Sequence, residues 1–286
     1  MDKERRVIRS SRSQPTLEGA GVHLHRALGF AEVPLFDPFL LLDDFRADQP
    51  DQYLAGFPWH PHRGIETITY VLKGEVTHGD SLGNTGTIGP GDVQWMTAGS
   101  GIIHQEMPHG DREGRMYGFQ LWANLPAHDK MMAPRYREVT AGQIPKALLP
   151  GGVEVKVICG RLGEVVGPVQ DIVSAPEYLD VSVPDGTTFT HPTRPGHTLF
   201  AYIIGGTGNF GATRTPAENR DLLLFDDGEA LTVVGKHGGL RFLLISGRPL
   251  AEPVAWRGPI VMNTHEELEQ AFREYREGTF IKRSPL

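Results

Sequence analysis

Residues 56–107 read GFPWHPHRGIETITYVLKGEVTHGDSLGNTGTIGPGDVQWMTAGSGIIHQEM, and this stretch decides the fold class. It opens with His60 and His62 and closes with His104 and Glu106, and each pair is separated by one residue. In an extended strand, side chains at positions i and i+2 point to the same face. Two such strands in one barrel would therefore bring three imidazoles and one carboxylate together. That set suits a divalent transition metal with positions left open for water or substrate.

The residues between the two pairs predict short strands joined by turns. The run IETITYVL is rich in β-branched and aromatic side chains, as is typical of strands, and it ends at Lys73-Gly74. Turn formers follow in HGDSLGNTG, in Pro90-Gly91-Asp92 and in the glycine-rich TAGSG. Short strands with turn signals at regular intervals indicate an all-β sandwich or barrel.

The order of these motifs resembles the two sequence motifs of the cupin superfamily. Gly56, His60, His62, Glu66 and Gly74 follow the first motif, and PGD with GSGIIH follows the second. Within the cupins the chain is similar to the pirin family, through HPHRGIET, PGDVQWMTAGSGIIHQEMP and, upstream, DPFLLLDDF. The similarity covers roughly the whole chain and is sharpest in the N-terminal half.

The resemblance implies two consecutive cupin barrels (double-stranded β-helices of the jelly-roll type) and one metal in the N-terminal barrel, usually iron. Pirins hold that metal through three His and one Glu, which correspond here to His60, His62, His104 and Glu106. The general cupin pattern instead offers Glu66, which has the same parity as His60 and His62. We predict Glu106 as the ligand. Glu66 stays as the alternative, or as a hydrogen-bond acceptor that orients an imidazole.

A structural explanation exists for several of these residues taken singly. One H-x-H is a weak signal, and His23 and His25 form another pair with no partner motif after it, so we predict no metal role for them. Two inward pairs, flanked by the glycines and the Pro-Gly-Asp turn in the right order, are much harder to obtain by chance. This constellation favours metal binding.

Other side chains could line a pocket or fill the core. Alternation in RMYGFQLWANLP places Gln120 and Trp122 on one face, so Gln120 is either a core hydrogen-bonding residue or a contact to substrate. Phe57, Trp59 and Met96 could line an apolar pocket for a flat aromatic ligand, or merely fill the barrel.

Composition excludes several classes of protein. The formal charge of −7 argues against binding nucleic acid through its phosphates. Cys159 is the one cysteine, so no intramolecular disulfide forms, and a buried inert thiol is expected there. The N-terminus has no apolar signal core, and no apolar run is long enough to span a membrane. We therefore expect a soluble cytoplasmic protein.

The second half of the chain repeats the strand pattern without the metal motif. TLFAYIIGGTG resembles ETITYVLKGEV, but His191 and His197 are too far apart for an H-x-H pair.

Four parts of the chain are predicted. Residues 1–130 form an N-terminal metal-binding cupin barrel and residues 131–151 an inter-domain crossing. Residues 152–262 form a C-terminal cupin barrel without metal, and residues 263–286 form a C-terminal helix with its tail. In the helix, Thr264 and Glu267 form a predicted capping box. The helix has an apolar stripe that should pack on a barrel. This stripe consists of Leu268, Ala271, Phe272 and Tyr275.

Two classes of function follow from the resemblance. The first is a non-haem dioxygenase of the quercetinase type, which would open the ring of a flavonol with O2 on one divalent metal. The expected metal is Fe(II), although the same ligands accept Mn, Co, Ni, Cu or Zn. Glu106 would add the role of general base. The alternative is a non-catalytic, metal- or redox-dependent regulator that binds a protein partner. A cupin isomerase or an inactive relic is the third possibility.

Overall fold

The computed structural model describes residues 3–172 and 174–282. Within them the chain forms 24 strands and one α-helix, which confirms the all-β fold with a C-terminal helix. No helix among these residues is long and apolar enough to cross a membrane.

The strands lie in five sheets. Those before residue 140 are β1 (Val7–Arg12), β2 (Gln14–Glu18), β3 (Val22–Leu28), β4 (Phe39–Asp44), β5 (Phe57–His62), β6 (Ile65–Lys73), β7 (Glu75–Asp80), β8 (Thr85–Ile88), β9 (Val93–Thr97), β10 (Ile102–His109), β11 (Tyr117–Asn124) and β12 (Arg135–Val139). The later elements are β13 (Lys146–Leu149), β14 (Val153–Cys159), β15 (Arg161–Leu162), β16 (Val165–Val166), β17 (Glu177–Val183), β18 (Thr188–Pro192), β19 (Thr198–Phe210), β20 (Thr215–Glu218), β21 (Asp221–Phe225), β22 (Ala230–Gly247), β23 (Ala255–Arg257), β24 (Ile260–Met262) and helix α1 (His265–Arg276).

The described chain divides into two compact units that do not follow the consecutive boundaries expected from the sequence. The first, called here the N-terminal barrel, comprises residues 14–35, 39–141 and 250–282. The second, the C-terminal barrel, comprises residues 3–13, 36–38, 142–172 and 174–249. The physical reason is strand pairing at one end and helix packing at the other. Strand β1 pairs antiparallel with β21, whereas β24 and α1 pack within the N-terminal barrel.

The C-terminal barrel is built on a nine-stranded sheet with the order β1-β21-β19-β22-β17-β14-β13, to which β18 and β20 add. Its core is a single cluster of Val, Leu, Ile, Phe and Ala side chains contributed by alternate positions of the strands. Cys159 is 3% exposed, as expected. His191 is buried and its Nε2 lies 2.8 Å from Glu177 Oε2.

The N-terminal barrel combines a seven-stranded sheet, β12-β9-β6-β11-β4-β3-β2, with a four-stranded sheet, β5-β10-β7-β8. Along β10 every second residue from Ile102 to Pro108 is buried, so this strand presents one face to the barrel interior. The chain passes from one sheet to the other at Gly64, whose φ is +78°. A side chain there would also clash with the carbonyl oxygen of Val261, so glycine lets β24 approach the barrel wall.

Helix α1 closes this unit. The Thr264 hydroxyl accepts from the Glu267 amide at 3.2 Å, and the Glu267 carboxylate accepts from the Thr264 amide at 3.0 Å, as the capping box predicts. Leu268 and Ala271 are buried, but Tyr275 is 38% exposed and lies outside the buried stripe. The fully buried Arg63 anchors the helix, because its guanidinium donates to Glu274 Oε2 at 2.7 Å.

This anchor makes a pH-dependent contribution to stability. Burial alone would raise the pKa of Glu274, but hydrogen bonds from Lys282, Gln270 and Arg63 lower it from 4.5 to about 2. Since the unfolded carboxyl keeps its ordinary pKa, ionised Glu274 stabilises the fold above about pH 4.5, and the contribution is lost as the pH falls towards 2. We expect Glu274→Gln to lower the free energy of unfolding by at most about 3 kcal/mol at pH 7 and by about half of that at pH 3.

Urea unfolding of the metal-free proteins between pH 7 and pH 3 measures this difference. The matched control is Glu277→Gln, which neutralises an exposed acid at the end of the same helix. The difference in free energy of unfolding between the wild type and Glu274→Gln should shrink as the pH falls. If it stays constant between pH 7 and pH 3, the ion pair does not titrate as described.

Candidate metal centre

Strands β5 and β10 carry the two predicted ligand pairs and lie side by side in the four-stranded sheet. They run antiparallel, with His60 opposite His104 and Phe57 opposite Glu106, and the register shifts between His104 and Glu106. Because the strands are neighbours and each pair has one-residue spacing, the side chains project into the same interior.

The three imidazoles converge through their Nε2 atoms. His60 Nε2 lies 3.0 Å from His62 Nε2 and 3.0 Å from His104 Nε2. His62 and His104 are buried, and His60 is half-buried. The nearer Glu106 oxygen, Oε2, is 3.9 Å from His104 Nε2, so the carboxylate lies beside the imidazole group rather than within it.

Backbone carbonyls fix the tautomers of two of these rings. Nδ1 of His60 donates to the Pro58 carbonyl at 2.8 Å, and Nδ1 of His62 donates to the Pro259 carbonyl at 3.0 Å. Each Nε2 is therefore left with a lone pair directed at the other. Two lone pairs at this distance repel unless a cation lies between them, so the donor set is complementary to a cation.

The electrostatics keep the His62 and His104 imidazoles neutral. Burial, and secondly the neighbouring His60, lower the pKa of His62 well below its usual value. Burial, followed by His62 and His60, does the same to the pKa of His104. Neutral imidazole is the ligand form, so no proton has to leave these two rings at neutral pH before they bind a metal.

The spacing of the nitrogens also fits one ion. Two nitrogens bound at about 2.1 Å with a right angle between the bonds lie roughly 3.0 Å apart. This is the distance from His60 Nε2 to each of its two neighbours. The three histidines therefore form a group that could hold a metal ion.

Glu106 is held by a short polar chain. Thr69 Oγ1 lies 3.1 Å from Glu106 Oε1 and 2.6 Å from the Gln120 side-chain oxygen. One hydroxyl proton cannot serve two acceptors. Both contacts are satisfied when the Gln120 amide is rotated, so that its nitrogen donates to Thr69 and Thr69 donates to Glu106. Burial raises the pKa of Glu106, although His60 and Thr69 act in the opposite direction.

Glu66, the alternative ligand, lies elsewhere. It is on β6 in the seven-stranded sheet, where it is buried and accepts a hydrogen bond from Thr97 Oγ1 at 2.7 Å. Burial raises its pKa. Glu66 does not continue the strand of His60 and His62, because the chain turns at Gly64 and begins a new strand in the other sheet. The group through which Thr97 donates to it is a hydroxyl, and no imidazole is among the residues that lower its pKa.

His60, His62 and Glu106 line a cavity of about 550 Å³, a volume in the usual range for small-molecule sites. Phe57 and Gln120 line it. Met96 is fully buried in an apolar cluster with Leu40 and Ile65, so of its two predicted roles the structure supports core packing. Trp59 is 53% exposed.

Several residues at the site carried no signal in the sequence. Pro259 and Trp256 reach it from the C-terminal segment, almost 200 positions after His62. His78 stands beside the turn formers of HGDSLGNTG, which gave it no predicted metal role, and it lies in β7 opposite Glu106. Its buried ring stacks on Tyr136 at 5.3 Å, and its Nε2 lies 2.6 Å from Glu138 Oε1. The sequence alone does not place His78 opposite Glu106, because that requires the register between β7 and β10.

Comparison with known proteins identifies relatives along the whole chain. Two family models match: Pirin over residues 21–123 and the Pirin C-terminal cupin domain over residues 178–281. A pirin-like protein of Caulobacter vibrioides is 45% identical over 277 residues, which cover 96% of this chain and 99% of that protein. Pirin of Homo sapiens is 39% identical over 282 residues, covering 96% and 94% of the two chains.

A solved structure confirms the cupin architecture that the motifs predicted. The crystal structure of quercetin 2,3-dioxygenase from Acinetobacter baumannii matches with a TM-score of 0.88 at 31% sequence identity. The match covers 96% of this chain and 98% of that chain.

Proposed function

Because this chain belongs to the pirin family of two-barrel cupin proteins, we propose that it is a mononuclear metal enzyme of the quercetin 2,3-dioxygenase type. Its ligands would be His60, His62, His104 and Glu106, its metal Fe(II), and its reaction the opening of a flavonol ring with O2. The observation that carries the proposal is the convergence of three imidazole nitrogens at the wall of a cavity large enough for such a ligand.

A divalent metal at this position would lower the pKa of a substrate hydroxyl beside it. The remaining chemistry belongs to the protein. Glu106 is next to the imidazoles and in position to accept the hydroxyl proton. Its raised pKa makes the carboxylate a better proton acceptor than an exposed one. Thr69 holds Glu106 Oε1, which leaves Oε2 directed towards His104.

The cavity walls supply orientation and exclude water. Phe57, Trp122 and Trp256 line the space in front of the imidazoles. The Trp122 ring lies 5.1 Å from that of His62 in a T-shaped arrangement, so a flat ligand that contacts Trp122 is also next to the metal ligands. The solved quercetin 2,3-dioxygenase, at 31% identity, supports a flavonol as the substrate class.

Oxygen uptake with quercetin tests the proposal. The iron-loaded protein should consume O2, and Glu106→Gln should lower the rate about 100-fold to 10⁴-fold because the proton acceptor is lost. Elemental analysis of the same samples separates loss of the base from loss of the metal.

Glu66→Gln is the matched control, since it changes a second buried glutamate that neither lines the cavity nor belongs to the group of converging imidazoles. It should keep both metal and activity. If the wild-type protein holds its iron and still consumes no O2 with a series of flavonols, the enzyme assignment is wrong and the non-catalytic regulator is favoured.

A further inference from the structure

A row of polar side chains crosses the cavity wall formed by the seven-stranded sheet. On four adjacent strands, Arg26 is opposite Asp43, Asp43 is opposite Gln120, and Gln120 is opposite Thr69. All four residues line the cavity. Directly opposite residues share one face of a sheet. The row therefore runs from Thr69, which contacts Glu106, to Arg26 at the other side of the cavity.

The row has the length of a multi-ring ligand. Neighbouring strands lie about 4.8 Å apart, which places Asp43 roughly 10 Å and Arg26 roughly 14 Å from Thr69 along the sheet. A molecule with one hydroxyl at the imidazoles can thus present its far end to Asp43.

That far end is acidic in spite of the arginine. Arg26 donates to Asp43 through Nε at 2.8 Å and Nη2 at 2.7 Å, and its Nη1 lies 2.9 Å from Glu18 Oε1. Burial raises the pKa of Asp43 to about 6, with Arg26 acting in the opposite direction, so Asp43 stays ionised at pH 7. Two carboxylates thus share one guanidinium, and their remaining lone pairs make this end an acceptor of hydrogen bonds.

The neighbouring walls are flat and apolar. The Trp256 ring lies 5.5 Å from Phe30 and 5.9 Å from Trp122. The Trp122 indole nitrogen is buried with no hydrogen-bond partner among the described residues. Rings that line a cavity in this way stack on aromatic ligands.

We propose that the row Arg26, Asp43, Gln120 and Thr69 determines specificity within the proposed flavonol class: it favours uncharged ligands that carry hydroxyl donors at the end remote from the imidazoles. The same row disfavours analogues that carry sulfonate, sulfate, phosphate or carboxylate at that end. The inference rests on the proposed flavonol site, and it adds the charge and the donor pattern of the ligand.

Equilibrium binding to the metal-loaded protein, kept free of O2 at pH 7.5, tests the inference without turnover. Quenching of tryptophan fluorescence reports occupancy, because Trp122 and Trp256 line the cavity. Three probes are compared: quercetin, 3-hydroxyflavone without the remote hydroxyls, and quercetin sulfonated on the remote ring. We expect quercetin to bind about tenfold more tightly than 3-hydroxyflavone and more than about 30-fold more tightly than the sulfonate.

Glu18→Gln removes one negative charge at the cavity rim and leaves the Arg26–Asp43 pair in place. The affinity gap is the Kd of the sulfonate divided by the Kd of quercetin. Glu18→Gln should reduce this gap by about threefold to tenfold. Glu266→Gln makes the same charge change at an exposed position of α1 and should leave the gap unchanged. Asp43→Asn should narrow the gap further, and a thermal melt checks that this buried substitution still folds.

Equal affinity for quercetin and its sulfonate, or a gap that Glu18→Gln does not alter, would overturn the inference. Failure of the proposed reaction has a different signature: oxygen uptake is then absent while the binding order is retained.

Discussion

His62→Ala is expected to bind divalent metal more than about 100-fold more weakly than the wild type and to lose oxygen uptake with quercetin. The substitution removes one of three converging nitrogens and leaves the other two at the same site. It also removes the imidazole whose Nδ1 is fixed by the Pro259 carbonyl. Loss of a hydrogen-bond partner behind a ligand already weakens metal sites 10–100-fold, and loss of the ligand itself should exceed that.

Metal content after gentle purification, followed by titration of the apo-protein with Co(II), measures the effect independently of activity. Thermal unfolding adds a second readout, because an ion that binds only the native state raises the melting temperature. The wild type should show this rise on adding Co(II), and His62→Ala should not.

The matched control is His23→Ala. His23 belongs to the other H-x-H pair of the chain and is exposed on β3, so its removal deletes an imidazole without touching the cavity. Metal content and melting temperature should match the wild type. If His62→Ala retains one equivalent of metal with unchanged affinity, the convergent imidazoles are not the binding site.

The ligand candidates were predictable from the sequence because strand geometry is local. A spacing of one residue puts His60 with His62, and His104 with Glu106, on one face of a strand whatever the rest of the chain does. Recognition of the two cupin motifs then supplied the pairing of the strands. The same spacing rule does not extend to Glu66. The positive φ at Gly64 ends one strand, and the strand that follows belongs to another sheet.

The parts that could not be predicted depend on contacts between residues far apart in the sequence. Pro259 and Trp256 reach the site because β24 and α1 pack on the N-terminal barrel, although both follow the second barrel along the chain. The acidic end of the cavity depends on the register of β3, β4 and β11. No hydrophobic pattern encodes that register, because Arg26 and Asp43 each read as ordinary surface charges.

Arg63→Leu is expected to lower the free energy of unfolding by about 3 kcal/mol, since it removes the side-chain donor from two backbone carbonyls and one of three side-chain donors from Glu274. Arg63 is 2% exposed, and its guanidinium donates to the Ser100 carbonyl at 2.7 Å, to Glu274 at 2.7 Å and to the Phe280 carbonyl at 2.9 Å. It also lies over the Phe280 ring at 4.2 Å. Urea unfolding at pH 7 of the metal-free protein measures the loss.

The matched control is Arg257→Leu, because Arg257 also pairs with a glutamate of α1. Its partner is Glu269 at 2.9 Å, and both side chains are at least half exposed. Such a pair contributes at most about 1 kcal/mol to the free energy of unfolding.

The same two substitutions should differ in their effect on metal binding. Loss of the Arg63 contacts should loosen the C-terminal segment and displace the Pro259 carbonyl from His62. Arg63→Leu should therefore weaken Co(II) binding, while Arg257→Leu leaves it unchanged. Equal effects of the two substitutions on metal affinity would mean that the segment does not hold the imidazole in place. A loss confined to Arg63→Leu would show that the buried guanidinium next to the proposed ligand His62 links folding of the C-terminal segment to metal binding.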